Sequence, residues 1–485
     1  MAIAFDNSLQ RELEGFFVPW QAAEPPAPAL VIYNHALGAE LGLPAADPAQ
    51  LAAWYSGAEP LPGSAYAALA YSGHQFGTFN PRLGDGRALL LGEVLTPAGA
   101  RFDLQFKGSG PTPFSRQGDG KCALGPALRE YLISEAMAAL GIATTRSLAV
   151  VTTGEGIWRE TPHPGAVLTR VAASHLRVGT FEFAASHHGI EAVERLTRYA
   201  LERHYPGSAD ARNPALALLE AVADAQARLV AGWMNHGFVH GVMNTDNVTI
   251  SGETIDYGPC AFLDAYSSRA VFSSIDRGGR YAFGQQPVVC RWNLYQLASA
   301  LIEAIAKVDE ADAEAARVLL EAWPARFANY WIAGLRPKLG LFSEHADDLE
   351  LGEALFAALE GQGADFTRLF RSLAMAVYGT FDAVAAEITD RDAFAPWFSR
   401  WQERLAREQL DPAERAARMN AANPFYTARN HRVDAALKAA EAGELAPFLA
   451  LLEVVTNPFE ERAEWADYAL APSPDAPHFV TYCGT

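Results

Sequence analysis

The sequence predicts an α+β protein of two lobes, strand-rich over its first third and mostly helical afterwards. Three observations carry that expectation. The chain has 485 residues, more than a single core organises well, so two bodies are expected. Between residues 88 and 171, apolar and β-branched runs alternate with glycine-rich turns, as strands do. From Gly189 onward apolar residues recur at three- and four-residue spacing, as amphipathic helices require. The expected boundaries are 1–180 for the first lobe with its N-terminal extension, 181–450 for the helical lobe, and 451–485 for a C-terminal tail carrying Cys483.

Composition narrows the function. Acidic residues outnumber basic ones 57 to 38, a net charge of −19 that argues against nucleic acid as a partner. A local basic pocket for a small anion remains compatible with that balance. No run of about 18 uncharged apolar residues occurs, so no membrane span is expected. The first residues, Met-Ala-Ile-Ala-Phe-Asp-Asn, lack the basic, apolar, small-residue order of a signal peptide. Cysteines at 122, 260, 290 and 483 have neither metal-site nor disulfide-framework spacing. The expected compartment is the cytoplasm.

In the first lobe, residues 1–65 are rich in Pro and Ala, with a short helix expected near 44–55. Tyr71-Ser72-Gly73-His74-Gln75-Phe76-Gly77 forms a polar-aromatic loop. Leu83-Gly84-Asp85-Gly86-Arg87 then opens a strand over 88–95. A tight G-D-G turn exposes backbone N–H groups and Arg87 adds a fork of donors, both suited to an anionic ligand. The alternating strand Phe102–Phe106 ends at Lys107, and a second G-D-G with a basic follower comes at Gly118-Asp119-Gly120-Lys121. Residues 126–140 read as a helix closed by Gly141, with Glu130 off the apolar stripe and free to face a lysine of the neighbouring sheet. A strand over 166–171 carries Arg170, and Arg177 follows; two arginines there suit phosphate oxygens or, equally, salt bridges with the chain's many acids. Strand, lysine, helix with a glutamate, further strands: that is the order of a protein-kinase small lobe.

In the second lobe a long apolar helix over 215–234 delivers the chain to His240–Pro259. There Val248-Thr249-Ile250 and Glu253-Thr254-Ile255 flank Ser251-Gly252, which predicts a hairpin. In that register Asn247 stands opposite Asp256, with Cβ atoms about 4.5–5.5 Å apart. An amide and a carboxylate so placed suit Mg²⁺ or Mn²⁺ held against a nucleotide phosphate. The same residue types also suit an ordinary Asn/Asp-rich turn. Asp246, one residue earlier, can be aimed at a substrate from the loop, and its carboxyl is expected near the ordinary value of about 4. His240 reads as a hydrogen-bonding residue of the loop. Helix, histidine loop, Asp, Asn and Asp256-Tyr257-Gly258 follow the order of a kinase large lobe. Residues 259–290 read as loop-rich, and helices fill 292–450 with a break at Asn423-Pro424-Phe425.

These motifs together resemble the selenoprotein O family: Y-S-G-H-Q-F-G (71–77), L-G-D-G-R (83–87), L-Q-F-K-G-S-G-P-T-P-F-S-R (104–116), G-D-G (118–120), the 240–259 block and the Cys483-Gly484-Thr485 end. The resemblance implies a protein-kinase-like bilobal fold. It implies transfer of AMP from ATP, with a flipped nucleotide, onto Ser, Thr or Tyr hydroxyls of proteins. It assigns Asp246 as proton acceptor and Asn247 with Asp256 to the metal. Lys107, Arg170 and Arg177 go to the β- and γ-phosphates, with Glu130 paired to Lys107. Gly84, Gly86, Arg87, Asp119, Gly120 and Asp256 line the nucleotide pocket. It also implies a redox bond from Cys483 to a second cysteine, with Cys260, Cys122 and Cys290 all open as partners. The kinase spacing H-R-D-x-x-x-x-N is absent, since His240 precedes Asp246 by six residues. Two other readings use the same groups: a kinase or small-molecule phosphotransferase, and a non-catalytic nucleotide-binding pseudokinase.

Overall fold

The computed structural model describes residues 3–473 and 475–482. Ten strands lie in the first 172 residues: β1 (Phe17–Pro19), β2 (Ala29–Tyr33), β3 (Ala67–Leu69), β4 (Gly73–Gln75), β5 (Thr78–Asn80), β6 (Ala88–Leu95), β7 (Arg101–Lys107), β8 (Cys122–Ala123), β9 (Arg146–Trp158) and β10 (Pro162–Ala172). Eight of them make one sheet in the order β1-β3-β6-β7-β10-β9-β2, with β8 pairing to β10. β4 and β5 form a separate two-stranded hairpin. The remainder is helical, apart from the short pair Phe238–Val239 and Ala261–Phe262. The chain is therefore α+β, and the elements expected over 44–55, 88–95, 102–106, 126–140, 166–171 and 215–234 hold to within a few residues.

β7 explains how the sheet becomes a site. Its even residues Leu104 and Phe106 are apolar and fully buried, while its odd residues Asp103, Gln105 and Lys107 are polar and also buried. Alternation usually sends polar residues to water. Here the polar face is covered, and each of its groups is satisfied by a partner. Arg203 reaches Asp103 at 2.5 Å and the Nδ1 of His175 lies 3.0 Å from the same carboxylate. Gln105 donates to Asp85 at 3.0 Å and accepts from Arg170 at 3.2 Å. In the antiparallel register Arg170 stands opposite Gln105, and Leu168 opposite Lys107, so Arg170 and Lys107 share this face.

The helix Leu124–Ala139 lies on the same side and presents Glu130 to Lys107. It is buried nearly all round because its charged residues find partners within the fold. Arg129 donates to the Gly258 carbonyl at 3.1 Å, and Glu135 pairs with Arg146 at 2.6 Å. The long helix Pro214–His236 starts at Asn213, whose side chain accepts from Leu216 N–H, and ends at Gly237 with φ 70°. That stop turns the chain into the 238–259 segment. One hydrophobic core runs from the sheet (Phe106, Val150, Leu168) into the helices behind it (Leu218, Val230, Leu294). A second gathers around Phe366, Leu369, Trp397 and Trp401. None of the described helices is long and apolar enough to cross a membrane.

Replacing one partner of a buried ion pair leaves the other charge uncompensated. Asp103→Ala removes one of the two carboxylates on Arg203, leaving it Glu93, and takes the partner of His175. The expected loss is about 3–5 kcal/mol, read as a lower urea midpoint at unchanged slope. An unaltered midpoint would show that the buried polar face of β7 is not a stabilising feature.

Candidate active site

The 240–259 segment does not fold as the expected hairpin. Its two arms pair with other segments: Thr249 bridges Arg177 antiparallel and Thr254 bridges Thr144 in parallel. The cause is local. The Thr249 hydroxyl donates to the Glu253 carbonyl at 2.7 Å and accepts from the Glu253 N–H at 2.9 Å, closing the loop through a side chain. The cross-strand argument for Asn247 and Asp256 therefore fails, yet both residues line one cleft. His240 is buried; Nε2 donates to Ile255 O at 2.9 Å while Nδ1 accepts from Val242 N–H. It ties the two ends of the segment together, as expected of it.

That cleft has a volume of about 470 Å³, within the range of small-molecule sites. It gathers every residue the sequence singled out as catalytic, nucleotide-binding or metal-holding: Gly84, Gly86, Arg87, Lys107, Asp119, Gly120, Arg170, Arg177, Asp246, Asn247 and Asp256. At its floor Lys107 Nζ lies 2.5 Å from Glu130 and 2.6 Å from Asp256. Arg170 donates to the other Glu130 oxygen at 2.7 Å and stands 3.9 Å from Asp256. Burial alone would raise the Asp256 carboxyl, but the charges of Lys107, Arg87 and Arg170 outweigh it and hold it well below the usual carboxylate range. Glu130 is lowered in the same way, its burial overcome by Arg170 and Lys107.

Asp246 differs from the expectation of an ordinary carboxyl. Burial pushes it up to about 6, against the opposing charge of Arg177. It sits in the 3₁₀ turn Thr245–Asn247, and its Oδ1 is buried without a hydrogen-bond partner. Asn247 donates its amide to Val242 O at 3.1 Å, which turns its carbonyl oxygen the other way. Among the described residues no group of three or more His, Cys, Asp or Glu side chains is arranged to hold a metal ion. An amide and one carboxylate are still a sufficient protein share for Mg²⁺, which takes its other ligands from water and substrate phosphates.

The glycines of the turns are required by space. At Gly84, with φ 72°, a side chain would collide with the Phe114 ring, and at Gly120, with φ 67°, with the Gly110 carbonyl. Asp119 is held at the rim by a bidentate pair with Arg159, at 2.8 and 3.1 Å. Several contributors went unread in the sequence. Tyr71 carries the Arg177 guanidinium 4.5 Å above its ring, and Phe114 and Arg159 line the cleft wall. Glu182 accepts from the Thr245 hydroxyl at 2.6 Å, beside Asp246. Tyr71 lay within a motif already noticed; Glu182 carries no local signal. Cys122, Cys260 and Cys290 are buried and free, and Cys483 lies outside the described residues.

A family model described as protein adenylyltransferase SelO matches residues 1–456. The chain is 54% identical over 487 residues to a protein nucleotidyltransferase YdiU of Sphingopyxis alaskensis, covering 100% of both. It is 54% identical over 492 residues to one from Cereibacter sphaeroides, again covering 100% of both. The protein of that name from Rhizobium rhizogenes is 50% identical over 487 residues, 100% of this chain and 97% of its own.

The loop behind the cleft supplies a pH test. Glu253 accepts from Ala173 N–H at 3.0 Å and from Ser251 at 2.8 Å, and burial pushes its carboxyl up to about 7. The folded protein thus binds this proton more tightly than the unfolded chain. The stabilisation is full below an unfolded value near about 4.3 and is lost as pH rises through about 7. Relative to Glu253→Gln, the protein should lose about 3 kcal/mol between those limits, measured by urea unfolding across pH. Parallel stability curves for the two proteins would contradict it.

Proposed function

The chain belongs to the SelO family of protein adenylyltransferases, and from that premise we propose how its cleft carries out the reaction. The chain is a protein nucleotidyltransferase. On this reading AMP passes from ATP to Ser, Thr or Tyr hydroxyls of other proteins, and pyrophosphate leaves. The lobes 1–180 and 181–450 take the kinase-like bilobal arrangement, with the nucleotide between them, and the enzyme works in the cytoplasm. One observation supports the reading above the others: Lys107, Arg170 and Arg177 converge with an unpartnered Asp246 oxygen in a single cleft.

Each residue then has a task. Asp246 accepts a hydrogen bond from the acceptor hydroxyl and takes its proton as the new oxygen–phosphorus bond forms at the α-phosphate. A carboxyl near about 6 is mostly ionised at neutral pH, yet a better proton acceptor than an ordinary aspartate. The bond to the bridging oxygen breaks, and the charge developing on pyrophosphate is met by Lys107, Arg170 and Arg177. Positioning and charge neutralisation dominate such transfers. Glu130 keeps Lys107 and Arg170 fixed before the nucleotide arrives. Asn247 and Asp256 would hold Mg²⁺ or Mn²⁺, which when bound draws charge from the phosphate oxygens. Gly84, Gly86, Arg87, Asp119 and Gly120 line the rest of the nucleotide pocket.

ATP labelled separately on its α- and γ-phosphates tests the reading. Label from α on the acceptor protein is expected, with pyrophosphate released; label from γ would make the enzyme a kinase. Asp246→Ala should slow transfer by about 10²- to 10⁴-fold while the unfolding curve stays that of a folded protein. Asp256→Ala should abolish the dependence of ATP binding on divalent cation in calorimetric titration. Unchanged cation dependence would remove Asp256 from the metal site. The redox role implied for Cys483 belongs to the same reading. It predicts that Cys483→Ser evens out activity under oxidising and reducing conditions, and a difference that persists would discard it.

A further inference from the structure

The β4–β5 hairpin stands beside the catalytic turn, and apart from Gln75 its residues lie outside the cleft lining. Its two-residue connection is Phe76-Gly77, with φ 51° and 83°. Positive φ at both positions is a turn that favours Asn-Gly, and a bulky aromatic at the first of them is strained. The strain keeps an aromatic ring in water: Phe76 is 38% exposed and Phe79 is 41% exposed. Both the strain and the exposure run against stability, which points to a use.

The hairpin is fixed against the catalytic turn. His74 N–H donates to the Thr245 hydroxyl at 2.7 Å, and Phe76 N–H donates to Asn244 Oδ1 at 3.0 Å. Tyr281 donates to the same Asn244 oxygen at 2.7 Å, and its ring lies 5.1 Å from Phe76. Next to this ring the Arg280 guanidinium stacks 4.7 Å above Trp292, close by Gly77 at the hairpin tip. Among the described residues no carboxylate lies within ion-pair distance of Arg280, and its Nε has no hydrogen-bond partner. The nearby Asp276 is occupied by the backbone N–H groups of Arg280 and Tyr281. On a chain of net charge −19, an arginine stacked on Trp292 and Tyr281 beside the catalytic turn, with no ion-pair partner among the described residues, is suited to a carboxylate from outside.

We propose that Phe76, Phe79 and the Arg280–Trp292 stack form the docking surface for the acceptor protein, and that it takes an extended segment with an acidic residue close to the modified hydroxyl. The inference rests on the nucleotidyl-transfer reading and names the substrate class of that same site. Aromatic rings give apolar contact at little entropic cost, and a half-buried guanidinium gives a carboxylate a fork of donors. Asp246 shares its turn with Thr245, the residue that holds the hairpin, so a segment lying on the hairpin brings its hydroxyl toward Asp246 at the cleft. The protein's net negative charge disfavours acidic acceptors over most of its surface.

Two matched series of short synthetic peptides, each with one hydroxyl residue flanked by Glu or by Lys, test the proposal. The enzyme should transfer α-phosphate label to the Glu series with kcat/KM about tenfold above the Lys series, a preference of roughly 1.4 kcal/mol. Arg280→Glu should reverse the order and Arg280→Lys should restore it. Phe76→Ala combined with Phe79→Ala should raise the peptide KM with ATP affinity unchanged. Fluorescence anisotropy of the same peptides on Asp246→Ala, with a non-hydrolysable ATP analogue, reads docking without chemistry. Acidic preference in binding without transfer by the intact enzyme supports the surface and overturns the transfer reading instead. Equal binding of the two series, or no binding of either below millimolar concentration, overturns the surface.

Discussion

The site depends on four charges, three buried and one half-buried, that neutralise one another. Lys107 and Arg170 are the cations, Glu130 and Asp256 the anions; three of the four pairs are in direct contact, and Arg170 stands 3.9 Å from Asp256. Taking such ions out of water costs several kcal/mol each, and the cost is offset only when every charge keeps its partners. Glu130 is the member that cannot be spared. It lies on a helix rather than a loop and holds one cation on each carboxylate oxygen. Asp256 is the more exposed anion, contacts the cluster from one side, and sits in left-handed backbone. A ligand rich in negative charge disturbs this balance by competing with Asp256 for Lys107. If a divalent cation arrives with the ligand, Asp256 gains a new partner as Lys107 turns to phosphate. On the proposed reading, joint binding of nucleotide and metal follows from charge balance alone.

Much of this was legible because it is local. A lysine ending a strand, a glutamate off the apolar stripe of the next helix and two G-D-G turns each leave a mark in the sequence. The structure brings them together with the separations that ion pairs and turns require. The hairpin argument for Asn247 and Asp256 failed for a reason no alternation pattern carries. β-branched runs prefer extended backbone but do not choose their partners, and Thr249 and Thr254 found theirs in distant segments, at Arg177 and Thr144. The two residues still line one cleft, with His240 tying Val242 to Ile255, a task two β-branched arms were expected to perform.

What stayed hidden was set by long-range burial. The ordinary value expected for Asp246 assumed contact with water, but helix, sheet and hairpin surround it. Glu182 acts on the catalytic turn through Thr245, 63 residues away in sequence, and nothing near either residue hints at the other. The strain at Phe76 was equally silent, since a Phe-Gly pair in an aromatic loop does not announce a positive φ. Three of the four described non-glycine residues with positive φ, Phe76, Arg116 and Asp256, lie on or beside the cleft. Strain concentrated in this way is what a site over-determined by its surroundings produces.

The packing around Asp246 explains both its raised carboxyl and its unpaired oxygen. A Cβ on Gly73 would stand 3.1 Å from Asp246 Oδ1, and one on Gly179 would collide with the Ser72 carbonyl while lying 3.6 Å from the Asp246 backbone. Two glycines therefore let the hairpin loop and the helix Val178–His187 approach the catalytic turn closely enough to exclude water, and neither brings a donor to Oδ1. A buried acceptor left unpaired costs about 1–3 kcal/mol. Any larger residue at 73 would relieve that by pushing the walls apart and letting water in, and would lower the carboxyl toward its ordinary value. The glycines keep that oxygen dry and the carboxyl basic, which strengthens the Asp246 carboxylate as a proton acceptor where the residue lines the cleft.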